Sequence, residues 1–129
     1  MPFINVKVAG PRLDTAQISA IQAGITSLMA EVLDKNAELT AVLVEQVPAD
    51  GWSIGARAVS RAAHVDATVS EGTDTAEQKE RFIAEANELL RQVLGADLPV
   101  VSYIVIHSVP KDSWGYGGRT QSSRSKAHA

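Results

Sequence analysis

The sequence predicts a mixed α/β (α+β) fold, in which two β-α-β units in tandem form a four-stranded core sheet with two helices on one face plus short hairpins. Three observations lead to this prediction. A motif that contains a tryptophan occurs twice, each copy follows the same succession of strand and helix periods, and 45% hydrophobic with 21% charged residues is ordinary for a globular protein. The 129 residues are enough for one domain with a sizeable core.

The repeat is clearest around the two tryptophans. Residues 47–55 (VPADGWSIG) return as residues 109–117 (VPKDSWGYG), 62 positions later, with Val, Pro, Asp, Trp and Gly in common. We therefore divide the chain into a first unit at 1–62 and a second unit at 63–118, which together form one domain. Residues 119–129 (RTQSSRSKAHA) are basic, Ser-rich and without a hydrophobic period, which predicts a mobile tail.

The first unit begins with a strand, because Ile4, Val6 and Val8 alternate with polar residues. Apolar residues then recur at helical spacing over 18–33, and Asp14 with Gln17 three positions later forms a capping-box pattern before them. The β-branched run at 39–47 favours a second strand, which ends at the proline that follows. The Asp-Gly pair at 50–51 then predicts a tight turn or hairpin.

The second unit repeats this order. Val65, Ala67 and Val69 alternate as in a strand, a helical period follows over 82–94, and Asp74 with Glu77 can cap that helix. The run at 101–106 predicts the second strand, and glycines at 115–118 predict the second hairpin.

The two units differ slightly in their offset at the first strand. The alternation of apolar and polar residues in the two first strands matches better at an offset of 61 positions than at 62. The counterpart of Pro2 is therefore Ala63 or His64. The strands of each unit should be parallel, with a right-handed crossover through the helix. Two units side by side leave one face of the sheet without helices, and this face predicts an oligomer.

Charge and residue types exclude several classes of function. A formal net charge of −3 provides no positive field for nucleic acid or for an anionic membrane. The absence of cysteine excludes a disulfide framework and thiol catalysis. The first residues do not resemble a secretory signal, and no apolar run approaches the roughly 18 residues of a membrane span, so we expect a cytoplasmic protein. The histidines lack the spacing of metal ligands, and we expect neither a metal nor a cofactor.

Met1-Pro2 before a strand, a β-α-β order in each half and a closing V-P-x-D-x-W hairpin at 47–52 and 109–114 together resemble the tautomerase superfamily. The doubled unit is similar to its fused 4-oxalocrotonate tautomerase type, over residues 1 to 119. The resemblance implies a homotrimer of fused chains and a catalytic N-terminal proline. It also implies the interconversion of enol and keto forms of a small 2-oxo acid.

Pro2 can supply the base for this chemistry once Met1 has been removed, because a proline at the start of a chain carries a secondary amine. The reference pKa of an α-amino group is about 7.7–8.0. Burial in an apolar pocket near a cation would lower this pKa, and the neutral amine could then move a proton between oxygen and carbon.

For substrate binding, the resemblance implies a cation that binds the carboxylate. Arg12, which follows the first strand, stands at the place of the family's arginine, whereas residues 72–74 (GTD) in the second unit contain none. A second family arginine, on the second strand, corresponds to Ala41 or Leu43 in the first unit and to Tyr103 in the second. Tyr103 can donate a hydrogen bond to a carbonyl or enolate oxygen. Trp114 stands where the family has an aromatic pocket wall, and Tyr116 lies on the same hairpin.

Other interpretations stay open. Tyr103 can be a tyrosine of the sheet surface, and Trp114 can pack the hairpin against a neighbouring subunit. A trimer of this fold that has lost productive substrate binding accounts for the missing arginines. A proline-dependent hydratase or dehalogenase is the other alternative. Tyr116 argues against this alternative, because a phenol is a poor general base near neutral pH. The nearby Asp112 argues for it, because a carboxylate can activate water.

Overall fold

The predicted four-stranded sheet lies at the centre of the structure, a computed structural model that describes residues 2–127. In chain order the elements are β1 (Phe3–Ala9), α1 (Thr15–Glu31), β2 (Ala41–Val47), the hairpin of β3 (Ser53–Ile54) and β4 (Arg57–Ala58), β5 (Ala62–Ser70), α2 (Ala76–Leu94), β6 (Ile104–Val109), the hairpin of β7 (Gly115–Tyr116) and β8 (Arg119–Thr120), and α3 (Gln121–Ala127). The mixed α+β fold class is confirmed, with both hairpins present.

The sheet has the order β2-β1-β5-β6. Each unit contributes a parallel pair, and β1 and β5 pair antiparallel at the centre. Val6 lies opposite Val65 and Ile4 lies opposite Ala67, so an approximate two-fold axis passes between Asn5 and Asp66.

This axis resolves the offset that the sequence left open. Asn5 and Asp66, which face each other across the axis, are 61 positions apart. The same offset relates Pro2 to Ala63, and both residues are buried. Ala63 is therefore the counterpart of Pro2, and His64 corresponds to Phe3 on the opposite face of the sheet.

The core lies between the sheet and the two long helices. Alternate residues of β1 and β5 face α1 and α2, and the fully buried side chains include Ile4, Val6, Val8, Val65, Val69, Ile21, Ile25, Met29, Phe82 and Leu90. Gly24 of α1 allows the helices to approach closely, because a Cβ atom there would lie 2.6 Å from the Leu89 side chain of α2. The predicted helical periods thus bury one face of each helix against the sheet.

The helix caps match the sequence prediction for α1 and differ for α2. The capping box of Asp14 and Gln17 is present at α1. At α2 the box is formed by Thr75 and Gln78, one position later than predicted. Asp74 is engaged elsewhere, because its Oδ1 lies 3.0 Å from the Nζ of Lys35, with the two side chains 0% and 9% exposed.

Secondary structure continues beyond residue 118, where the sequence analysis expected a mobile tail. The turn at Gly117 and Gly118 has φ angles of 59° and 76°, and it returns the chain into β8. Helix α3 then begins at Gln121, which is buried, and packs beside the hairpin. Residues 128 and 129 of the predicted tail lie outside the described residues. Contacts rather than a hydrophobic period hold α3, so the pattern of the sequence contained no signal for it.

The connector between the two units lies tightly across the end of β1. Gly10, with φ of 119°, is so close to the backbone oxygen of Ser60 that a Cβ atom would collide with it. Arg61 Nη1 donates hydrogen bonds to the carbonyl oxygens of Ala9 and Pro11 at 3.3 and 2.8 Å. The connector thus closes this end of the sheet.

The face of the sheet opposite the helices is open, as predicted. Phe3 and Leu43 are each 45% exposed on this face. None of the helices within residues 2–127 has the length and apolar character needed to cross a bilayer.

Candidate functional site

The topology gives the sheet two different ends. Because β1 runs antiparallel to β5 and β6, one end contains the starts of β1 and β2 and the last residues of β5 and β6. We call it the Pro2 end. The opposite end contains the last residues of β1 and β2 and the starts of β5 and β6, and we call it the Ala63 end. The 7 residues of β1 are joined by about six steps of about 3.3 Å, so the two ends lie about 20 Å apart.

Pro2 is a buried residue at the start of β1. Its carbonyl oxygen accepts a hydrogen bond from the backbone N–H of Ala41 at 3.2 Å, which joins it to β2. The register of β1 with β5, extended by one residue beyond Phe3 and Thr68, sets Val69 on its other side. Pro2 thus lies between two strands, at the start of β1. Met1 lies outside the described residues, so the removal of Met1 stays a prediction.

A polar cavity of about 440 Å³ opens at the Pro2 end. Its walls come from the loop after α1, the end of β5, the segment after β6 and helix α3, and they consist of Leu33, Asp34, Lys35, Asn36, Ser70, Thr73, Lys111, Gln121 and Ser125. Two of these residues flank Pro2 by position: Ser70 follows Val69, and Asn36 lies in the segment just before Ala41. The cavity and the proline therefore share one end of the sheet.

The second hairpin also lies at the Pro2 end, because it follows β6. Trp114 lines a cleft of about 300 Å³ on this hairpin, together with Asp112 and Arg119. The indole Nε1 of Trp114 is buried and has no hydrogen-bond partner among the described residues. A buried donor without a partner lowers the stability of the fold by about 1–3 kcal/mol. An acceptor on a ligand or on another chain could pair with this N–H and recover that free energy.

Tyr116 on the same hairpin is held by helix α3. The guanidinium carbon of Arg124 lies 3.9 Å from the centre of the Tyr116 ring. Arg124 Nη2 also donates a hydrogen bond to the Tyr116 carbonyl oxygen at 3.0 Å. Both contacts attach α3 to the hairpin that adjoins the cavity.

Arg12 and Tyr103 lie at the Ala63 end. Arg12 is exposed beside shallow clefts that it shares with Gln46. Tyr103 precedes β6 and is 67% exposed, and its carbonyl oxygen accepts a hydrogen bond from Val65 N at 2.9 Å. Within one chain the structure thus places Pro2, Trp114 and Tyr116 at one end and Arg12 and Tyr103 at the other, so these five residues do not form a single pocket.

Two cations at the Pro2 end were missed by the sequence analysis. Lys35 lies in the loop after α1 and binds both Asp74 and the Thr73 hydroxyl, with Nζ distances of 3.0 and 2.8 Å. Lys111 lies inside the repeated motif, where the first copy has Ala49. This difference between the two copies was the available signal for Lys111.

A cluster of polar side chains lies apart from this site, on the open face of the sheet. Asp66 accepts hydrogen bonds from His107 at 2.7 Å and from His64 at 3.1 Å. Partial burial raises the pKa of the Asp66 carboxyl, but the hydrogen bonds and charges of the two histidines outweigh it and leave the pKa lowered overall. Across residues 2–127, no group of three or more His, Asp or Glu side chains is arranged to hold a metal ion.

Comparison with known proteins matches this architecture to one family. The family model described as "Tautomerase enzyme" matches the chain twice, over residues 2–61 and 63–124. The chain belongs to the tautomerase family. Each match covers one β-α-β unit with its hairpin, so two family units follow one another in one chain.

Individual relatives agree with this family membership. The chain is 33% identical over 60 residues to a probable tautomerase K2 of Dickeya dadantii (strain 3937), a match that covers 46% of this chain and 90% of the relative. Its fold is similar to that of F6 fused 4-OT, a wild-type asymmetric trimer, with a TM-score of 0.79, 22% identity and coverage of 93% and 98% of the two chains. It is also similar to that of Pt0534 inactivated by 2-oxo-3-pentynoate, with a TM-score of 0.83, 12% identity and coverage of 94% and 98%. These structures establish the fused 4-OT-like architecture.

Proposed function

We propose that this protein interconverts the enol and keto forms of a small 2-oxo acid, with the amine of Pro2 as the general base. The observation that supports this most strongly is the position of Pro2, which is buried at the start of β1, at the same end of the sheet as a polar cavity. An aryl 2-oxo acid such as phenylpyruvate suits the site, because Trp114 and Tyr116 provide aromatic surface at the same end.

The reaction needs one group that accepts and returns a proton. The neutral amine of Pro2 takes the proton of the enol hydroxyl, and the oxygen keeps the electron pair of that bond to form the carbonyl. The electron pair of the C=C bond takes a proton from the resulting ammonium, which restores the amine. Burial of this amine after the removal of Met1 would disfavour its charged form, and the base would then be neutral near neutral pH.

We further propose that the chain works as a homotrimer. The face of the sheet opposite the helices carries exposed Phe3 and Leu43, and a neighbouring chain would cover them. F6 fused 4-OT, which has a similar fold, is a trimer. Light scattering at micromolar concentration should therefore give the mass of a trimer, and a monomer would contradict the proposal.

The test of the base is the variant Pro2→Ala, which replaces a secondary amine with a primary one. We expect kcat for the ketonisation of enol phenylpyruvate to fall by about 10²–10⁴-fold, the usual contribution of a general base. Mass spectrometry of the purified protein should find that Met1 is absent. The matched control is Arg12→Ala at the Ala63 end, which should change kcat far less. A Pro2→Ala variant with near wild-type rates would mean that another residue is the base.

A further inference from the structure

A 2-oxo acid carries a negative charge, so the site of a base for such a substrate also needs a cation or several donors. The lysines and arginines at the Pro2 end differ in whether an acid or a carbonyl oxygen of the protein already binds their charged groups. The cavity there contains Lys35 and Lys111 in its walls, and Asp34 is the acid among its lining residues.

Lys35 is already engaged. Its Nζ lies 3.0 Å from a carboxylate oxygen of Asp74, and both side chains are almost completely buried. A buried ion pair loses much of its stability if one partner turns to another ligand. Arg124 is likewise occupied by the ring and the carbonyl oxygen of Tyr116. These two cations hold the walls of the site together and do not supply a free charge.

Lys111 differs from both. It is exposed at the mouth of the cavity, and among residues 2–127 it forms no ion pair and no side-chain hydrogen bond. Its backbone is fixed, because its carbonyl oxygen accepts a hydrogen bond from Ser122 N of α3 at 3.1 Å. The ammonium group can therefore turn to a ligand without breaking an existing pair.

Helix α3 contributes neutral donors beside Lys111. Gln121 is 6% exposed and lines the cavity, and within the described part of the chain its side-chain amide has no hydrogen bond. Ser125 lies one helical turn later and faces the same cavity. A polar side chain that lines a cavity without a protein partner can form its hydrogen bonds with a ligand there.

We infer that the carboxylate of the substrate binds in this cavity, to the ammonium of Lys111 and the side-chain amide of Gln121. Helix α3 is then part of the binding site, since it supplies Gln121 and fixes the backbone of Lys111. The inference rests on the proposed function, because it assumes that Pro2 at this end is the base.

Binding of an unreactive acid tests this inference without catalysis. The probes are 3-phenylpropanoate and its neutral counterpart 3-phenylpropanamide, measured by titration calorimetry on wild type, Lys111→Met and Lys111→Arg. We expect Lys111→Met to bind the acid about tenfold to a hundredfold more weakly, as for the loss of a hydrogen bond between charged groups, and to bind the amide as before. Lys111→Arg should restore most of the affinity. Substrate turnover by Lys111→Met should show a raised KM with kcat little changed.

The matched control is Arg12→Met, which removes a cation at the Ala63 end. Unchanged acid affinity in Lys111→Met would overturn the inference, and a loss confined to Arg12→Met would mean that the cation comes from another chain.

Pro2→Ala separates the two proposals, because it should lose activity while it still binds the acid. If Pro2→Ala stays fully active while Lys111→Met loses acid binding, the base assignment fails and the carboxylate site stands.

Discussion

Removal of the Arg124 side chain should detach helix α3 from the second hairpin. The guanidinium donates to the Tyr116 carbonyl oxygen from Nη2 and Nε, at 3.0 and 3.4 Å, and lies 3.9 Å from the ring centre. A hydrogen bond from a charged donor contributes about 1.5–3 kcal/mol, and a cation–π contact at an exposed site about 0.5–1 kcal/mol. Since Arg124 is only half-buried, we expect Arg124→Ala to cost about 2 kcal/mol of docking free energy.

Amide hydrogen exchange measures this docking directly. The N–H groups of Gln121 and Ser122 donate to the carbonyl oxygens of Trp114 and Lys111, at 3.0 and 3.1 Å, so both amides are protected only while α3 is docked. A loss of about 2 kcal/mol corresponds to exchange that is about thirtyfold faster at these two amides. Amides of the core strands should keep their protection, because α3 is not part of the core.

The variant Arg57→Ala is the control for the change of charge. Arg57 is exposed on β4 of the first hairpin, and among residues 2–127 its side chain forms no ion pair and no hydrogen bond. Its removal should therefore leave the protection of Gln121 and Ser122 almost unchanged. Equal exchange rates in wild type and Arg124→Ala, or the same acceleration in Arg57→Ala, would refute the assignment of Arg124 as the residue that docks α3.

Two further predictions concern pH and a turn. Because the Asp66 pKa is lowered in the folded state, its stabilising contribution is complete above the ordinary value of 3.8 and is lost as pH falls through the lowered value. Urea unfolding of Asp66→Asn should thus show a deficit at pH 5 that narrows at pH 3, and a deficit independent of pH would contradict this. Ala56 has φ of 63° in the first hairpin, where the second hairpin has Gly118, so Ala56→Gly should stabilise the fold by up to about 1 kcal/mol in thermal unfolding. A lower melting temperature would exclude strain at this turn.

Local patterns predicted the parts of the fold that neighbouring residues determine. The capping box of Asp14 and Gln17 formed as predicted, since both of its hydrogen bonds lie within four residues. At α2 the same rule failed by one position, because Asp74 pairs with Lys35, which is 39 positions away in sequence. The sequence contains no local signal for a partner at such a distance. The fold class, which depends on the periods of whole elements, was predicted correctly.

The candidate site was less accessible to sequence reasoning. Arg12 and Tyr103 were named as substrate-binding residues by resemblance, and only the antiparallel pairing of β1 with β5 showed that both lie at the end of the sheet opposite Pro2. Lys111 was not predicted as a site residue, because an exposed lysine in a loop usually contacts only solvent. Lys111 lines a cavity only because α3 forms another wall of that cavity. The residues of α3 have no hydrophobic period from which this helix could have been predicted.

The tight connector at Gly10 and Arg61 determines how many reactive amines an assembly can contain. It joins the first hairpin to β5 at the place where a second chain terminus would otherwise lie, so the nitrogen of Ala63 is an ordinary amide. Each chain can then contribute one proline base at most, and a reagent specific for the Pro2 amine should label one position per chain. Under the proposed mechanism the Ala63 end contains no base, so substitutions there can accumulate, or serve another ligand, without loss of Pro2.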